Sequence, residues 1–137
     1  WFLDLKSDVV NRYEGCVLTD NCEADDMVRI WANECKQPYA IVTVDKDLDC
    51  IEGLHYNPRK KETYIIDKDY ADYFYWKQLL MGDSVDNIPG IPKIGPKKAE
   101  KMLEGTTLPA HRKEIVCKAY NDFYSNEKLY CISYYCV

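Results

Sequence analysis

The sequence lacks several features that would assign it to common classes of protein. None of its seven cysteines falls in a CxxC pair, which excludes a zinc ribbon, and their odd, scattered arrangement indicates reduced thiols in a cytoplasm. No apolar run approaches the roughly 18 residues of a membrane helix, so we expect no membrane association. Repeats and low-complexity linkers are also absent. With 137 residues, 47% of them hydrophobic, the chain is long and apolar enough to fold around a sizeable core.

The net charge of −5 does not by itself suggest a nucleic-acid partner, but the charges are unevenly distributed. Acidic residues cluster at 20–26, 45–52 and 83–86, and basic residues cluster at 59–61, 93–101 and 112–113. A protein that combines an acidic metal-binding pit with a separate basic surface can be acidic overall and still bind DNA.

Hydrophobic periodicity predicts the elements of the first forty residues. Residues 2–13 are expected to be the end of a helix, and residues 16–19 a short buried strand. Asp20 and Asn21 are N-cap candidates for a second helix, and Asp20 with Glu23 resembles a capping box. Apolar residues at helical spacing continue this helix as far as the next proline.

The middle of the chain is predicted to contain strands followed by a helix. Residues 39–44 are a nearly continuous apolar run, which is typical of a parallel strand covered on both faces. A short helix is expected after Asp47, and residues 54–57 and 62–66 are expected to form a two-stranded ribbon. Residues 70–81 are predicted to be a helix whose aromatic stripe we interpret as core rather than as a base-stacking surface.

The last third of the chain is predicted to be mainly helical. A Pro- and Gly-rich hairpin at 88–96 precedes a lysine-rich helix at 97–104, and further helices are expected near 111–124 and beyond 126. Strands that alternate with helices and then give way to helices indicate an α/β fold with a helical DNA-binding lobe.

Carboxylates gather at the ends of the predicted elements, where open α/β sheets place ligand sites. They form three groups, which are Glu23, Asp25 and Asp26, then Asp45 and Asp47, and finally Asp83 and Asp86. So many carboxylates held close together would repel one another without cations. Mg²⁺ binds carboxylate oxygens together with water and phosphate, and two such ions roughly 4 Å apart can activate water and stabilise the leaving oxygen of a phosphodiester.

Each acidic group taken alone has a simpler interpretation. The first could cap its helix and favour the macrodipole, the second could form a turn, and the third could again be caps. The segment that starts at Asp45 also mimics the start of an EF-hand calcium loop. That alternative fails because Cys50 stands at the turn glycine and Tyr56 at the position of the bidentate glutamate, with Leu54 two residues before it.

The segment GIPKIGPKKA at 90–99 is a helix–hairpin–helix pattern. Gly90 and Gly95 would let the backbone approach a phosphate closely, and Pro96 suits the first position of a helix whose N–H groups face the anion. Positive charge at this place comes from Lys93, Lys97, Lys98 and Lys101. Such contacts position a duplex without reading its sequence, and they weaken with salt. A solvated lysine face is the simpler alternative, as it is for the basic residues at 59–61.

Four blocks in this order resemble the 5′→3′ exonuclease and flap-endonuclease family. They are CEADD at 22–26, VDKDL at 44–48, LMGDSVDNIPG at 80–90 and IGPKKA at 94–99. The similarity extends over about residues 15–105, and it is greatest to the 5′-nuclease domain of bacterial DNA polymerase I and to bacteriophage exonucleases.

This resemblance implies a parallel-sheet, PIN-like nuclease core in residues 1–82 and a helix–three-turn–helix DNA-binding lobe in residues 83–137. It implies hydrolysis of DNA at 5′ ends and flaps, during replication or repair, with two Mg²⁺ ions, Mn²⁺ as a substitute and K⁺ at the hairpin. We expect a monomer in the cytoplasm of a bacterial or phage-infected cell.

The resemblance also assigns roles to residues by their position in the blocks. The catalytic set is Glu23, Asp25, Asp26, Asp45 and Asp47. The metal-binding set adds Asp83 and Asp86. The DNA-binding set is Gly90, Lys93, Gly95, Lys97, Lys98 and Lys101. Of these, Glu23, Asp25 and Asp45 are expected to lie nearest the ion that holds the attacking water.

The sequence also departs from the family pattern. Lys93 stands where the family often has glycine, and nothing matches the family's N-terminal strand with its metal-binding Asp or its basic helical arch. We therefore expect an N-terminally truncated chain. Two alternatives stay open, namely a structure-specific DNA-binding fragment that no longer cuts, and an RNA-cutting relative with the same acidic core.

Overall fold

The computed structural model describes residues 2–19, 21–84 and 87–124. Residues that lie close together in space group into two compact units, Trp1–Tyr39 and Ala40–Val137. The predicted functional division at residue 82 stays a prediction. Among the described residues, no helix has the length and apolarity needed to cross a membrane.

The first unit contains two helices, α1 at Phe2–Arg12 and α2 at Ala24–Glu34. Both were predicted, and an ion pair of 2.6 Å between Asp8 and Arg12 adds a local contact within α1. Helix α2 ends where the Cys35 N–H donates to the Trp31 carbonyl at 2.8 Å. No residue of α2 is fully buried.

Two details predicted for the first unit are wrong. Residues 16–19 form no strand, and Cys16, Val17 and Leu18 are exposed. Three apolar residues followed by a threonine contain no information about a pairing partner, and within the described part of the chain no strand pairs with them. The N-cap of α2 is Glu23 and not Asn21, while Asp20 lies outside the described residues.

The second unit begins with a three-stranded sheet of β1 at Ala40–Val42, β2 at Gly53–Asn57 and β3 at Glu62–Ile66. The order is β1-β2-β3, with β1 parallel to β2 and β2 antiparallel to β3. The fold is therefore mixed α/β, and the ribbon at β2 and β3 is confirmed.

The first strand is shorter and less covered than its apolar run predicted. Ile41 is buried, but the next side chain along the strand, Val42, is 65% exposed, so only one face of β1 is covered in the structure. An apolar run does not distinguish a strand buried on both faces from one that exposes valines on the outer face of a sheet.

Two short turns complete this sheet. A 3-10 helix at Asp47–Cys50, the predicted short helix, connects β1 to β2. At the tip of the β2–β3 hairpin, Asn57 Oδ1 accepts hydrogen bonds from the backbone N–H groups of Arg59 and Lys60 at 3.1 and 3.0 Å. The tip is thus a locally ordered turn with exposed basic side chains.

The helical part of the second unit starts with α3 at Lys68–Met81 and ends with α4 at Pro96–Leu103 and α5 at Pro109–Tyr124. Between α3 and α4 lie two short antiparallel strands, β4 at Gly82–Asp83 and β5 at Ile88–Pro89. Asp67 caps α3 by accepting the Tyr70 N–H at 2.8 Å. The helix predicted beyond residue 126 lies outside the described residues.

One apolar core joins the three helices of this unit. It is formed by Trp76, Leu80, Ile91, Ile94, Ala99, Leu103 and Val116. Each fully buried leucine or valine stabilises the fold by roughly 1.5–3 kcal/mol relative to an exposed one. The interpretation of the aromatic stripe as core is confirmed for Trp76, whereas Tyr70 at the start of the same helix is 44% exposed.

Arg112 lies in this core although its basic cluster suggested a surface position. It is 1% exposed, and its guanidinium contacts Asp69 Oδ1 and Asp72 Oδ2 at 2.8 Å each and the Thr106 carbonyl at 2.7 Å. Burial disfavours its charged form, but the hydrogen bonds with Asp72 and Asp69 more than offset that effect and raise the pKa of Arg112. One side chain thus connects α3, the loop after α4 and α5.

Arg112→Met should lower the free energy of unfolding by about 2–3 kcal/mol. This is less than the roughly 3–5 kcal/mol of a fully buried ion pair, because Asp69 is 60% exposed and can be hydrated. Urea denaturation measures the difference. The neighbouring Lys113→Met, at an exposed position of the same helix, serves as control and should have almost no effect. Equal stability of the two variants would contradict the role of Arg112.

Candidate metal and nucleic-acid sites

The second acidic group follows directly from β1. The Asp45 N–H donates to Thr43 Oγ1 at 2.9 Å, and the Asp47 N–H donates to Asp45 Oδ1 at 2.9 Å. The Asp45 side chain therefore holds the turn that starts the 3-10 helix, as the turn interpretation required. The turn also places Asp45 and Asp47 at the carboxyl end of a strand that is parallel to its neighbour, where α/β sheets bind ligands.

The third acidic group is linked to the second by α3. Gln78 Nε2 donates to Asp47 Oδ1 at 2.7 Å, and α3 ends at Met81, directly before Gly82 and Asp83. Asp83 is half-buried within β4. Asp86, the other predicted ligand of this group, lies outside the described residues.

The first acidic group belongs to the first unit. Glu23 and Asp26 form a capping box in which each side chain faces the backbone N–H of the other residue. The distance from the Glu23 nitrogen to Asp26 Oδ2 is 3.4 Å. Glu23, Asp25 and Asp26 are exposed in or next to the first turn of α2. Capping explains two of these residues, and their predicted role as metal ligands stays a prediction.

The donor chemistry of these residues fits Mg²⁺. Within the described part of each unit, no three His, Cys, Asp or Glu side chains are placed to hold a metal ion together. Mg²⁺ needs only one or two carboxylates when waters and substrate phosphate complete its octahedron. Asp45 and Asp47 lie on one turn and carry carboxylates, which are hard oxygen donors, so they meet that requirement in number and type.

A half-buried network that the sequence did not reveal supports the 3-10 helix. The Tyr64 hydroxyl donates to Asp49 Oδ1 at 2.9 Å, and the fully buried His55 donates from Nε2 to the Ile51 carbonyl at 2.9 Å. The rings of His55 and Tyr64 stack with centroids 5.4 Å apart. Asp49 lies inside the helix and Ile51 directly follows it, so β2 and β3 fix the segment that contains Asp47.

Burial, and then the hydrogen bond to Asp49, raise the pKa of Tyr64 to about 12. The neighbouring Asp49 carboxylate disfavours the phenolate form, because two negative charges would then meet. The other ring nitrogen of His55, Nδ1, lies 3.8 Å from Asp49 Oδ1 and has no hydrogen-bond partner among the described residues.

The glycine-rich hairpin depends on close contact between its own backbones. A Cβ on Gly82, whose φ is +69°, would lie 2.1 Å from the Gly90 nitrogen, and a Cβ on Gly90 would lie 2.1 Å from the Met81 carbonyl carbon. Gly90 is thus required by packing inside the protein. A Cβ on Gly95 would meet open space, so its predicted approach to phosphate stays a prediction.

Lys93 adopts the left-handed conformation, with φ +65°. It lies between Ile91 and Ile94, which are buried and joined by a hydrogen bond of 3.1 Å from the Ile94 N–H to the Ile91 carbonyl. This conformation costs a non-glycine residue roughly 1–2 kcal/mol, which is the physical reason why glycine suits this position. The two isoleucine anchors hold the lysine there nevertheless.

The lysines of α4 occupy its outer face. Gly95 is the N-cap and Pro96 the first helical residue, as predicted, and the N–H groups of Lys98 and Ala99 both donate to the Gly95 carbonyl at 3.0 Å. Ala99 and Leu103 are buried, whereas the predicted DNA-contacting lysines are exposed, at Lys93, Lys97, Lys98 and Lys101. The arrangement can bind phosphates, and the same exposure is equally compatible with a solvated lysine face.

No protein-family model matches the sequence. Over 101 residues the chain is 36% identical to the DNA polymerase I of Rhizobium leguminosarum, and this match covers 65% of the chain and 10% of the polymerase. Over 98 residues it is 39% identical to the 5′-3′ exonuclease of Buchnera aphidicola. This match covers 60% of the chain and 33% of the exonuclease. A 5′-3′ exonuclease of Streptomyces coelicolor is 35% identical over 100 residues.

Among solved structures, a mutant T5 5′-exonuclease matches with a TM-score of 0.62 at 17% identity, over 89% of this chain and 64% of that one. The resemblance to the 5′→3′ exonuclease family is confirmed by these relatives, and the mixed α/β fold resembles that of the T5 enzyme. The chain spans between a tenth and a third of the length of the polymerase and exonuclease relatives described above. The helix–three-turn–helix lobe stays a prediction.

Tyr64→Phe should lower the free energy of unfolding by about 1–2 kcal/mol near neutral pH, since the hydrogen bond to Asp49 is lost. The pKa of Tyr64 rises from 10.0 to about 12 on folding, so the unfolded phenol loses its proton first. The stabilisation is therefore complete below pH 10 and disappears as the pH rises from 10 towards 12.

Urea denaturation of wild type and Tyr64→Phe across this pH range measures the effect. The half-buried Tyr56 of the same sheet gives a matched control in Tyr56→Phe, whose difference from wild type should not follow this pH profile. A difference for Tyr64→Phe that stays constant up to pH 12 would contradict the assigned hydrogen bond.

Proposed function

We propose that this chain provides metal-binding and DNA-binding residues of a Mg²⁺-dependent 5′→3′ exonuclease and flap endonuclease that acts in replication or repair. One observation carries the proposal: Asp45 and Asp47 lie in an ordered turn at the carboxyl end of a parallel strand, in a chain similar to proteins named 5′-3′ exonuclease. Turns of this kind are where α/β sheets bind ligands.

The metal ligands are proposed to come from all three acidic groups. Asp45 and Asp47 provide the first pair, Asp83 joins them from the end of α3, and the remaining ligands are Glu23, Asp25, Asp26 and Asp86. Two bound Mg²⁺ ions, for which Mn²⁺ can substitute, would supply an activated water and stabilise the leaving oxygen. In this proposal Glu23, Asp25 and Asp45 lie nearest the ion that holds the attacking water.

The DNA is proposed to contact the hairpin and the start of α4. Gly95 and Lys97 present backbone N–H groups to the phosphate backbone, and Lys93, Lys97, Lys98 and Lys101 add positive charge. K⁺ bound at the hairpin carbonyls would strengthen this contact. The substrate is DNA with 5′ ends or flaps, and the protein acts as a monomer in the cytoplasm.

A second candidate function is binding of branched DNA without cleavage. It is favoured by one observation: within the described part of either unit, no three acidic side chains are placed to hold a metal ion. In that case the hairpin lysines would bind DNA, and the acidic groups would serve only as caps and turns. DNA cleavage would require divalent cations and Asp45, whereas DNA binding without cleavage would require neither.

Asp45→Ala should abolish cleavage of 5′-flapped DNA by the full chain in Mg²⁺. We expect a rate loss of at least about a hundredfold, because loss of a direct ligand should exceed the roughly 10–100-fold cost of losing an outer-shell partner. A gel assay of flap cleavage measures the rate. Asp122→Asn removes an exposed carboxylate of α5, outside the three acidic groups, and should leave the rate unchanged. Equal rates for Asp45→Ala and wild type would count decisively against the nuclease proposal.

Lys97→Ala should weaken binding of branched DNA at every sequence tested. It should also reduce the slope of log affinity against log salt by about 0.9, which is the value for one phosphate contact. Fluorescence anisotropy in EDTA measures the affinity for DNA without a contribution from bound metal ions. Lys118→Ala, at an exposed position of α5, is the matched control, and the same salt slope in both variants would contradict a DNA contact at α4.

A further inference from the structure

The amide of Gln78 is placed to orient a carboxylate of the proposed metal site. Gln78 Nε2 donates to Asp47 Oδ1 at 2.7 Å across 31 positions of sequence, and this contact is partly shielded from solvent. We propose that Gln78 is a positioning residue, which sets the Asp47 carboxylate for Mg²⁺ without binding the ion itself. The inference rests on the proposed function.

The scaffold behind Gln78 is held from two sides. The preceding residue, Lys77, forms an ion pair of 2.6 Å with Glu100 of α4. The following residue, Leu79, accepts a hydrogen bond of 2.6 Å at its carbonyl from the Tyr120 hydroxyl of α5. Because both neighbours of Gln78 are fixed, its amide approaches Asp47 from a rigid part of α3, as a positioning group requires.

The turn that holds the Asp47 backbone also carries a second carboxylate. The Asp47 N–H is held by Asp45 Oδ1, which brings two carboxylates of the same sign onto one turn, and their repulsion favours side-chain rotamers that separate them. A hydrogen bond from an amide offsets this tendency. A carboxylate has about four lone-pair sites, so one accepted hydrogen bond is compatible with an ion on the same group.

The chemical type of the partner also matters. An amide donates a proton without adding positive charge, so it orients Asp47 and leaves the negative charge that attracts Mg²⁺. Lysine or arginine at this position would compete with the ion. Gln78 also connects Asp47 with Asp83, because α3 passes directly into Gly82 and Asp83, so the spacing of two proposed ligands is set by one helix.

Gln78→Met tests the inference in the full chain, because methionine keeps the length and helix propensity of glutamine but cannot donate a hydrogen bond. Mn²⁺ titration by electron paramagnetic resonance should show a dissociation constant raised roughly tenfold or more, as for other partners of metal ligands. The matched control is Lys68→Met, at an exposed position in the first turn of α3, which should change Mn²⁺ affinity less than twofold. Asp47→Asn is measured in the same series and should weaken binding at least as much as Gln78→Met.

The outcomes separate this inference from the proposed function. If Asp47→Asn weakens Mn²⁺ binding and Gln78→Met does not, the inference is overturned and the proposed function stands. If neither weakens it, Asp47 is not a ligand and both fail. If Gln78→Met does not fold, the NMR resonance of the Gln78 side-chain amide in the wild-type protein tests the inference instead. It should shift during a Mg²⁺ titration, and an unchanged resonance at saturation would overturn the inference.

Discussion

Residues 40–124 are organised by the burial of α3 against α4 and α5. Leu80 and Trp76 enter the shared apolar core, Arg112 joins the start of α3 to α5 through two aspartates, and Tyr120 joins its end. These contacts make α3 a rigid element between the sheet and the lysine-bearing helix. Both candidate sites depend on it, because Gln78 contacts Asp47 on one side and the hairpin follows directly from the end of the helix.

The same packing explains why the hairpin contains two glycines in contact. The core fixes Ile91 and Ile94, and the hairpin must then return past the end of α3 at backbone distance, where a side chain on Gly82 or Gly90 would overlap the opposite strand. Lys93, between these two buried isoleucines, takes the left-handed conformation. Packing inside the protein therefore positions the start of α4 and its lysines.

Much of this architecture could be predicted from residue patterns, and the exceptions share a cause. Helices were predicted at 70–81 and 111–124, where α3 and α5 lie, and the Gly-Pro dipeptide identified the start of α4, because these signals are local. Arg112 was missed because its partners lie 40 and 43 residues away, and a lone arginine beside a lysine resembles surface. The Tyr64–Asp49 and Gln78–Asp47 contacts were missed for the same reason. The acidic groups were recognised as motifs, but a local pattern does not report which carboxylates share an ion, and their role as ligands stays a prediction.

The central claim is that Asp45 and Asp47, in the turn after β1, bind a divalent cation. Crystals of the full chain grown with Mn²⁺ test it most directly, because anomalous scattering locates the ions without reference to the protein atoms. The account predicts an ion coordinated by Asp45 or Asp47. No ion at either carboxylate at saturating Mn²⁺ would contradict it.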